Sequence, residues 1–122
     1  MTGERGIMIV VDREAGTARE ALRLALDLKP EISLIDISLP DQSGIHLTRQ
    51  LGHLLPAIRV MIVSVHSGNN YIAESFQAGA RGYVVKESVP ETLLEALCVI
   101  AKGGYFLEGP VPPQTIERLK AL

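Results

Sequence analysis

The sequence contains no tryptophan, few other aromatic residues and a single cysteine. Aromatic side chains make up 4% of its 122 residues, too few for a platform that stacks the bases of single-stranded nucleic acid. The cysteine, Cys98, lies in an apolar helical pattern and has no partner for an internal disulfide bond, so we expect a buried thiol. We find no run of membrane-spanning length and no signal peptide, and therefore expect a cytoplasmic protein without membrane contact.

Long runs of one charge are also missing. The chain has 12 Lys and Arg against 14 Asp and Glu, a net charge of −2, and this balance argues against binding nucleic acid or an anionic membrane. Because 47% of the residues are hydrophobic, the composition is that of a globular domain with its own core. We predict one domain over residues 1–108, and a linker with a short helical segment over residues 109–122. That segment is too short for a helix-turn-helix, so we expect no DNA binding by this chain alone.

The stretch Ile32–Ile37 is apolar on both alternating faces and carries a carboxylate, Asp36, close to its end. This pattern is typical of a strand covered on both sides, as in the parallel sheet of an α/β protein. Pro40 then turns the chain, and Ser43-Gly44 opens a helix. Because ligands of open α/β sheets bind beyond the carboxyl ends of the strands, Asp36 is a candidate functional residue. The alternative is that Asp36 only hydrogen-bonds the turn that follows it.

Strand and helix patterns alternate four times along the chain. The strands are predicted at Ile7–Val11, Ile32–Ile37, Val60–Val63 and Gly82–Val85. The helices are predicted at Thr17–Leu28, Ser43–Leu54, Tyr71–Ala78 and Ser88–Lys102. Their apolar periodicity predicts packed faces that include Ala21, Leu22, Ala25, Leu28, Leu47, Leu51, Leu54, Leu93, Leu94, Leu97, Ile100 and Ala101. Right-handed crossovers between such units give a parallel sheet covered by helices.

Three polar residues end successive predicted strands: Asp36, Ser64 and Lys86. In a parallel sheet these ends share one edge, so a carboxylate, a hydroxyl and an ammonium group would converge there. Such a set suits a phosphoryl group held on an aspartate. The carboxylate attacks phosphorus, the lysine neutralises one oxygen, and the hydroxyl donates to another. The alternative is a purely structural ion pair between Lys86 and Asp36.

Three segments resemble a response-regulator receiver domain of the NarL/FixJ type: Leu34–Pro40 with Gly44, Val63–His66 and Ala78–Lys86. The resemblance runs from about Ile9 to Leu107 and implies a flavodoxin-like α/β fold, a parallel sheet with helices on both faces. It also implies that Asp36 is the phosphoacceptor, Ser64 the switch hydroxyl, Lys86 the phosphoryl-contacting lysine and Tyr83 the switch aromatic residue. The implied donor is a phosphohistidine on a sensor histidine kinase, or another phosphodonor, and the implied cofactor is Mg²⁺.

One departure from the family concerns the acidic pair that binds Mg²⁺. In receivers this pair follows the first strand, whereas the segment from Ile9 to Pro30 resembles the family's second strand and helix. Asp12 stands only 24 residues before Asp36 (36 − 12). We therefore expect a receiver truncated to about four strands, without the pair. The remaining metal ligands are Asp36 and the Ser38 backbone carbonyl, with Asp12 and Glu14 as weaker candidates, a poor set for octahedral Mg²⁺.

The missing strand leaves an apolar edge that requires a repair. Either Ile7–Val11 pairs directly with Ile32–Ile37 and brings Asp12 or Glu14 towards Asp36, or two chains exchange strands or helices. Reduced cover on one sheet face favours a homodimer.

The expected function is that of a signalling receiver module with impaired phosphorylation, and not of an enzyme. Its first alternative is a competent phosphoacceptor with a rebuilt metal site. A second alternative, an aspartate-based phosphohydrolase, is disfavoured because Ser38 stands where a second acid would be needed.

Overall fold

The computed structural model describes residues 15–65, 68–86 and 90–108. Its helices are α1 (Ala18–Leu28), α2 (Gly44–Leu54), α3 (Asn69–Gln77) and α4 (Pro90–Ala101). Its strands are β1 (Ile32–Asp36), β2 (Arg59–Ser64), β3 (Gly82–Val85) and β4 (Phe106–Leu107). The predicted strand Ile7–Val11, the acidic candidates Asp12 and Glu14, and the segment from residue 109 onward lie outside the described residues. None of the described helices is both long and apolar enough to cross a membrane.

The four strands form one parallel sheet in the order β1-β2-β3-β4. Each crossover is a helix, which is how the chain returns to start the next parallel strand. One hydrophobic cluster joins α1, α2 and α3 to one face of the sheet, where Ile35 and Ile62 point. A second cluster joins α4 to the other face through Ile32, Met61 and Val84. The predicted parallel α/β fold with helices on both faces is confirmed.

The strand β4 was not predicted. It has two residues and pairs with β3 through Gly82↔Phe106 and Tyr83↔Leu107. A strand this short carries no readable alternation, because period-two patterns need at least four residues. Its consequence is that β3 lies inside the sheet and not at its edge.

The first turn of α1 is closed by Thr17, as its capping-box spacing predicts. The Thr17 hydroxyl accepts a hydrogen bond from Glu20 N at 3.1 Å, and Glu20 Oε1 accepts one from Gly16 N at 3.1 Å. Ser43 caps α2 in the same manner, with its hydroxyl 3.0 Å from Ile45 N. Both helices therefore start where their sequences place the cap.

Two predictions about α4 were wrong. Leu94 is 62% exposed and Cys98 is exposed, although both were predicted to be buried. The buried stripe of this helix consists of Ala96, Leu97 and Ile100. Leu94 and Cys98 lie one turn apart and share a face that points away from that stripe, because α4 packs on the sheet with its other face among the described residues.

Two other leucines predicted on packed faces, Leu28 and Leu54, are also exposed. Each is the last residue of its helix, α1 or α2. A helix's final residue has no following turn to hold it against the core, so the apolar period continues one position beyond the contact.

Candidate functional site

The carboxyl ends of β1, β2 and β3 meet at one edge of the sheet. Asp36 is the last residue of β1, Ser64 is the last residue of β2, and Lys86 directly follows β3. The parallel register pairs Asp36 with Val63 and Ser64 with Val85, so the three strand ends lie at nearly the same level. The structure thus places all three predicted residues at one edge, where open α/β sheets bind their ligands.

Asp36 and Lys86 form an ion pair, in which Lys86 Nζ donates to Asp36 Oδ2. The other carboxylate oxygen, Oδ1, accepts a hydrogen bond from Ser38 N at 2.9 Å. The Asp36 side chain remains 29% exposed and that of Lys86 44% exposed. An ion pair this open to water adds little to the stability of the fold. Its position at the strand ends is therefore of interest mainly for the chemistry of the site.

The first residue of α2, Gly44, lies very close to the backbone of Asp36. A Cβ atom built on Gly44 would lie 2.0 Å from the Asp36 carbonyl oxygen and 2.8 Å from Ile35 Cγ2. Gly44 N also donates to Ile37 O at 2.8 Å. Only glycine allows α2 to start against the backbone of the carboxylate residue, and this contact fixes the position of Asp36.

Ser64 and Tyr83 are fully buried and share a hydrogen bond between their hydroxyl groups. Burial raises the pKa of Tyr83 above its ordinary value of 10.0, and the hydrogen bond from Ser64 opposes that rise. Tyr83 is therefore neutral throughout the physiological range. The site thus contains a hydrogen-bonded pair, Ser64 and Tyr83, and an ion pair, Asp36 and Lys86.

The loop after Asp36 is tied to α1 by a residue that the sequence did not single out. Asp41 accepts hydrogen bonds from Ala18 N at 2.7 Å and from Arg19 N at 3.0 Å, the first two amides of α1. These amides, Ala18 first, hold the pKa of Asp41 below its ordinary value of 3.8. A negative charge at a helix N-terminus is favoured by the free N–H groups there.

We expect Asp41→Asn to lower thermal stability at neutral pH and to lose this effect in acid. Because the pKa is lower in the folded chain than in the unfolded one, Asp41 stabilises the fold above pH 3.8. That contribution is lost as the pH falls through the lowered value. Melting curves between neutral pH and about pH 3 measure it. Asp27→Asn, at the exposed end of the same helix, is the control. A difference in melting temperature between Asp41→Asn and the wild type that persists in acid would contradict the role given to the Asp41 carboxylate.

The described residues do not by themselves provide a magnesium site. Within the described ranges there is no group of three or more His, Cys, Asp or Glu side chains that could hold a metal ion. Asp36 and the Ser38 carbonyl are the candidate ligands that remain there, and Mg²⁺ requires several oxygen ligands in near-octahedral order. Asp12 and Glu14 lie outside the described residues.

A fourth polar residue, Glu108, stands at the same edge and was missed by the sequence analysis. It directly follows β4, and its Oε1 accepts a hydrogen bond from Val85 N at 3.0 Å. Since β4 was not predicted, nothing in the sequence placed a strand end at this position. The one available signal was the acidic residue after the apolar pair Phe106–Leu107.

The comparisons with known proteins agree on one family. A sequence profile described as the response regulator receiver domain matches residues 3–98. The chain is 32% identical to the transcriptional regulatory protein DegU of Brevibacillus brevis over 114 residues, 93% of this chain and 48% of that protein. It is 34% identical to the transcriptional regulatory protein MctR of Rhizobium johnstonii, over 92% of this chain and 53% of MctR. The chain thus spans about half the length of these curated relatives.

Solved structures with the same fold include proteins that are related to this chain in sequence. A two-component response regulator of the LuxR family from Aurantimonas sp. SI85-9A1 superposes with a TM-score of 0.74 at 35% identity, over 88% of this chain and 74% of that one. A CheY-like receiver domain protein from Methanospirillum hungatei superposes with a TM-score of 0.67 at 29% identity, over 71% of this chain and 70% of that one.

Proposed function

Because the chain belongs to the response regulator receiver domain family of two-component signalling, we propose that Asp36 is its phosphoacceptor. The observation that carries this proposal is the ion pair between Lys86 and Asp36 at the edge where β1, β2 and β3 end. A carboxylate that already holds a cation at a ligand-binding edge is prepared to bear a further anionic group.

The proposed reaction is transfer from a phosphohistidine of a sensor histidine kinase, or from a small phosphodonor. An Asp36 carboxylate oxygen attacks phosphorus, the bond from phosphorus to the imidazole nitrogen breaks, and the departing imidazole keeps the electron pair. Lys86 then moves from the carboxylate to an oxygen of the new acyl phosphate, and the Ser64 hydroxyl donates to another. Because Ser64 also contacts Tyr83, that donation would change the surroundings of Tyr83.

We also propose that phosphorylation is impaired and that the module acts through protein contacts. The support is the poor ligand set: within the described ranges no group of three or more His, Cys, Asp or Glu side chains could hold a metal ion beside Asp36. Attack of one anion on another requires charge neutralisation, which Mg²⁺ usually supplies in phosphoryl transfer. The competing proposal is that Asp12 or Glu14 completes a metal site and restores full reactivity.

A titration with Mg²⁺ distinguishes the two proposals. Amide signals of residues 36–44 and of Ser64 are followed by NMR in the wild type and in Asp36→Asn. An impaired site predicts no saturable change at millimolar Mg²⁺. A saturable change that disappears in Asp36→Asn would overturn the impairment, and Asp12→Asn and Glu14→Gln would then show which carboxylate completes the site.

We further propose that two copies of the chain pair through the exposed face of α4. This face consists of Glu91, Leu94, Glu95 and Cys98, with Lys102 directly after the helix, and all five are exposed. In an antiparallel arrangement of two copies of α4, Leu94 meets the partner's Cys98 and Glu91 approaches the partner's Lys102, so apolar and charged groups both match. The solution mass tests this pairing: a dimer that Leu94→Glu dissociates supports it, and a stable monomer at micromolar concentration contradicts it.

A further inference from the structure

The chain leaves β4 through an unusual contact with β3. Glu108 N donates to Tyr83 O at 3.1 Å, which continues the parallel pairing of the two strands. The next donor on β3, Val85 N, is met by the Glu108 side chain at 3.0 Å. Parallel strands normally satisfy such a donor with a main-chain carbonyl. Here a carboxylate takes that place, so the pairing ends without leaving Val85 N unsatisfied.

Val85 directly precedes Lys86. One hydrogen bond of Val85 and two of Lys86 hold this end of β3 in place. Glu108 holds the amide of Val85 on one side, and Lys86 N donates to Ser64 O at 2.8 Å on the other. The lysine side chain then reaches across to Asp36 Oδ2. Because β3 lies between β2 and β4 in the sheet, its carboxyl end has a neighbour on both sides. Loss of the contact with either β2 or β4 would therefore loosen the carboxyl end of β3, which carries Lys86.

We propose that Glu108 is a positioning residue for Lys86, acting through the amide of Val85. The proposal rests on the proposed function only in giving Lys86 its phosphoryl-contacting role. Its further consequence is regulatory: Glu108 belongs to the chain as it leaves the sheet, so a displacement of that chain releases the end of β3. The reach of Lys86 towards Asp36, and hence the reactivity of the site, would then depend on what holds residue 108 in place.

The test measures the chemical reactivity of the Lys86 amine and requires no phosphorylation. Trace acetic anhydride labels amines at a rate that depends on how accessible each amine is, and peptide mass spectrometry reports each lysine separately. The contact with Asp36 Oδ2 shields the Lys86 amine from the reagent. We expect Glu108→Ala to speed labelling of Lys86 by about three- to tenfold, as the ion pair with Asp36 loosens. Glu108→Gln, whose amide oxygen still accepts from Val85 N, should stay close to the wild type.

Two controls separate positioning from a general loss of structure. Lys29, which is exposed, acts as the internal reference in every sample, and Glu74→Ala removes an exposed glutamate of α3. The decisive comparison repeats Glu108→Ala in the Asp36→Asn background. There the ion pair is already lost, so the effect of Glu108→Ala on Lys86 should vanish.

The proposal is overturned if Lys29 accelerates together with Lys86, if the effect is as large in Asp36→Asn, or if Glu108→Gln behaves like Glu108→Ala. None of these outcomes depends on whether Asp36 accepts a phosphoryl group. Failure of the proposed function would instead appear as an absence of phosphoryl transfer in the wild type with the Lys86 labelling pattern intact.

Discussion

Replacing Gly44 by alanine is expected to destabilise the fold by about 3 kcal/mol or more and to lower Tm by on the order of 10 °C. The new Cβ atom would lie 2.0 Å from the Asp36 carbonyl oxygen and 2.8 Å from its carbonyl carbon. Both are backbone atoms of β1, so the overlap cannot be relieved by rotating a side chain. Either α2 or the end of β1 must move, and the Asp36 carboxylate moves with it. Chemical denaturation with a two-state fit measures the loss.

The matched control for this change is Gly52→Ala in the same helix. A Cβ atom on Gly52 meets nothing within 4 Å, and alanine is the better helix former. Gly52→Ala should therefore stabilise the fold by roughly 0.5–1 kcal/mol. If the two alanines had similar effects, the close approach of α2 to Asp36 would be wrong.

A second large effect is expected at Leu97. Its side chain is only 6% exposed and packs in the cluster between α4 and the sheet, so Leu97→Ala should cost about 3 kcal/mol through lost burial and the remaining cavity. Leu94, three residues earlier, is 62% exposed, and Leu94→Ala should change stability by less than about 0.5 kcal/mol. Both variants are compared by denaturation at a concentration where the chain is monomeric. Equal costs would show that α4 is rotated from the orientation described here.

This pair also shows where the sequence stops being informative about α4. An apolar period predicts that a helix has a buried face, but the apolar residues of α4 can be divided between a buried and an exposed face in more than one way: Ala96 is buried and Leu94 is exposed. Which of them are buried depends on the neighbours of α4. Among the described residues those neighbours lie on the sheet and include Ile32, Met61 and Val84, and the local sequence does not contain that information.

For the site, the sequence predicted the residues that end long strands. Asp36, Ser64 and Lys86 each follow an apolar run, and the rule that parallel strands share an edge was sufficient to place them together. The two residues it missed, Asp41 and Glu108, act across 23 positions of sequence, on Ala18 and on Val85. Such contacts have no local pattern, because they depend on where a loop or a very short strand lies in the finished fold.

The central claim is that Asp36 accepts a phosphoryl group in a receiver with weakened reactivity. Its most direct test is the intact mass after incubation with acetyl phosphate, with and without millimolar Mg²⁺, for the wild type and Asp36→Asn. We predict that a minor but detectable fraction of the wild type gains one phosphoryl group, that Mg²⁺ increases it little, and that Asp36→Asn gains none. Rapid and complete labelling that requires Mg²⁺ would contradict the impairment, and labelling that persists in Asp36→Asn would contradict the assignment of the phosphoacceptor.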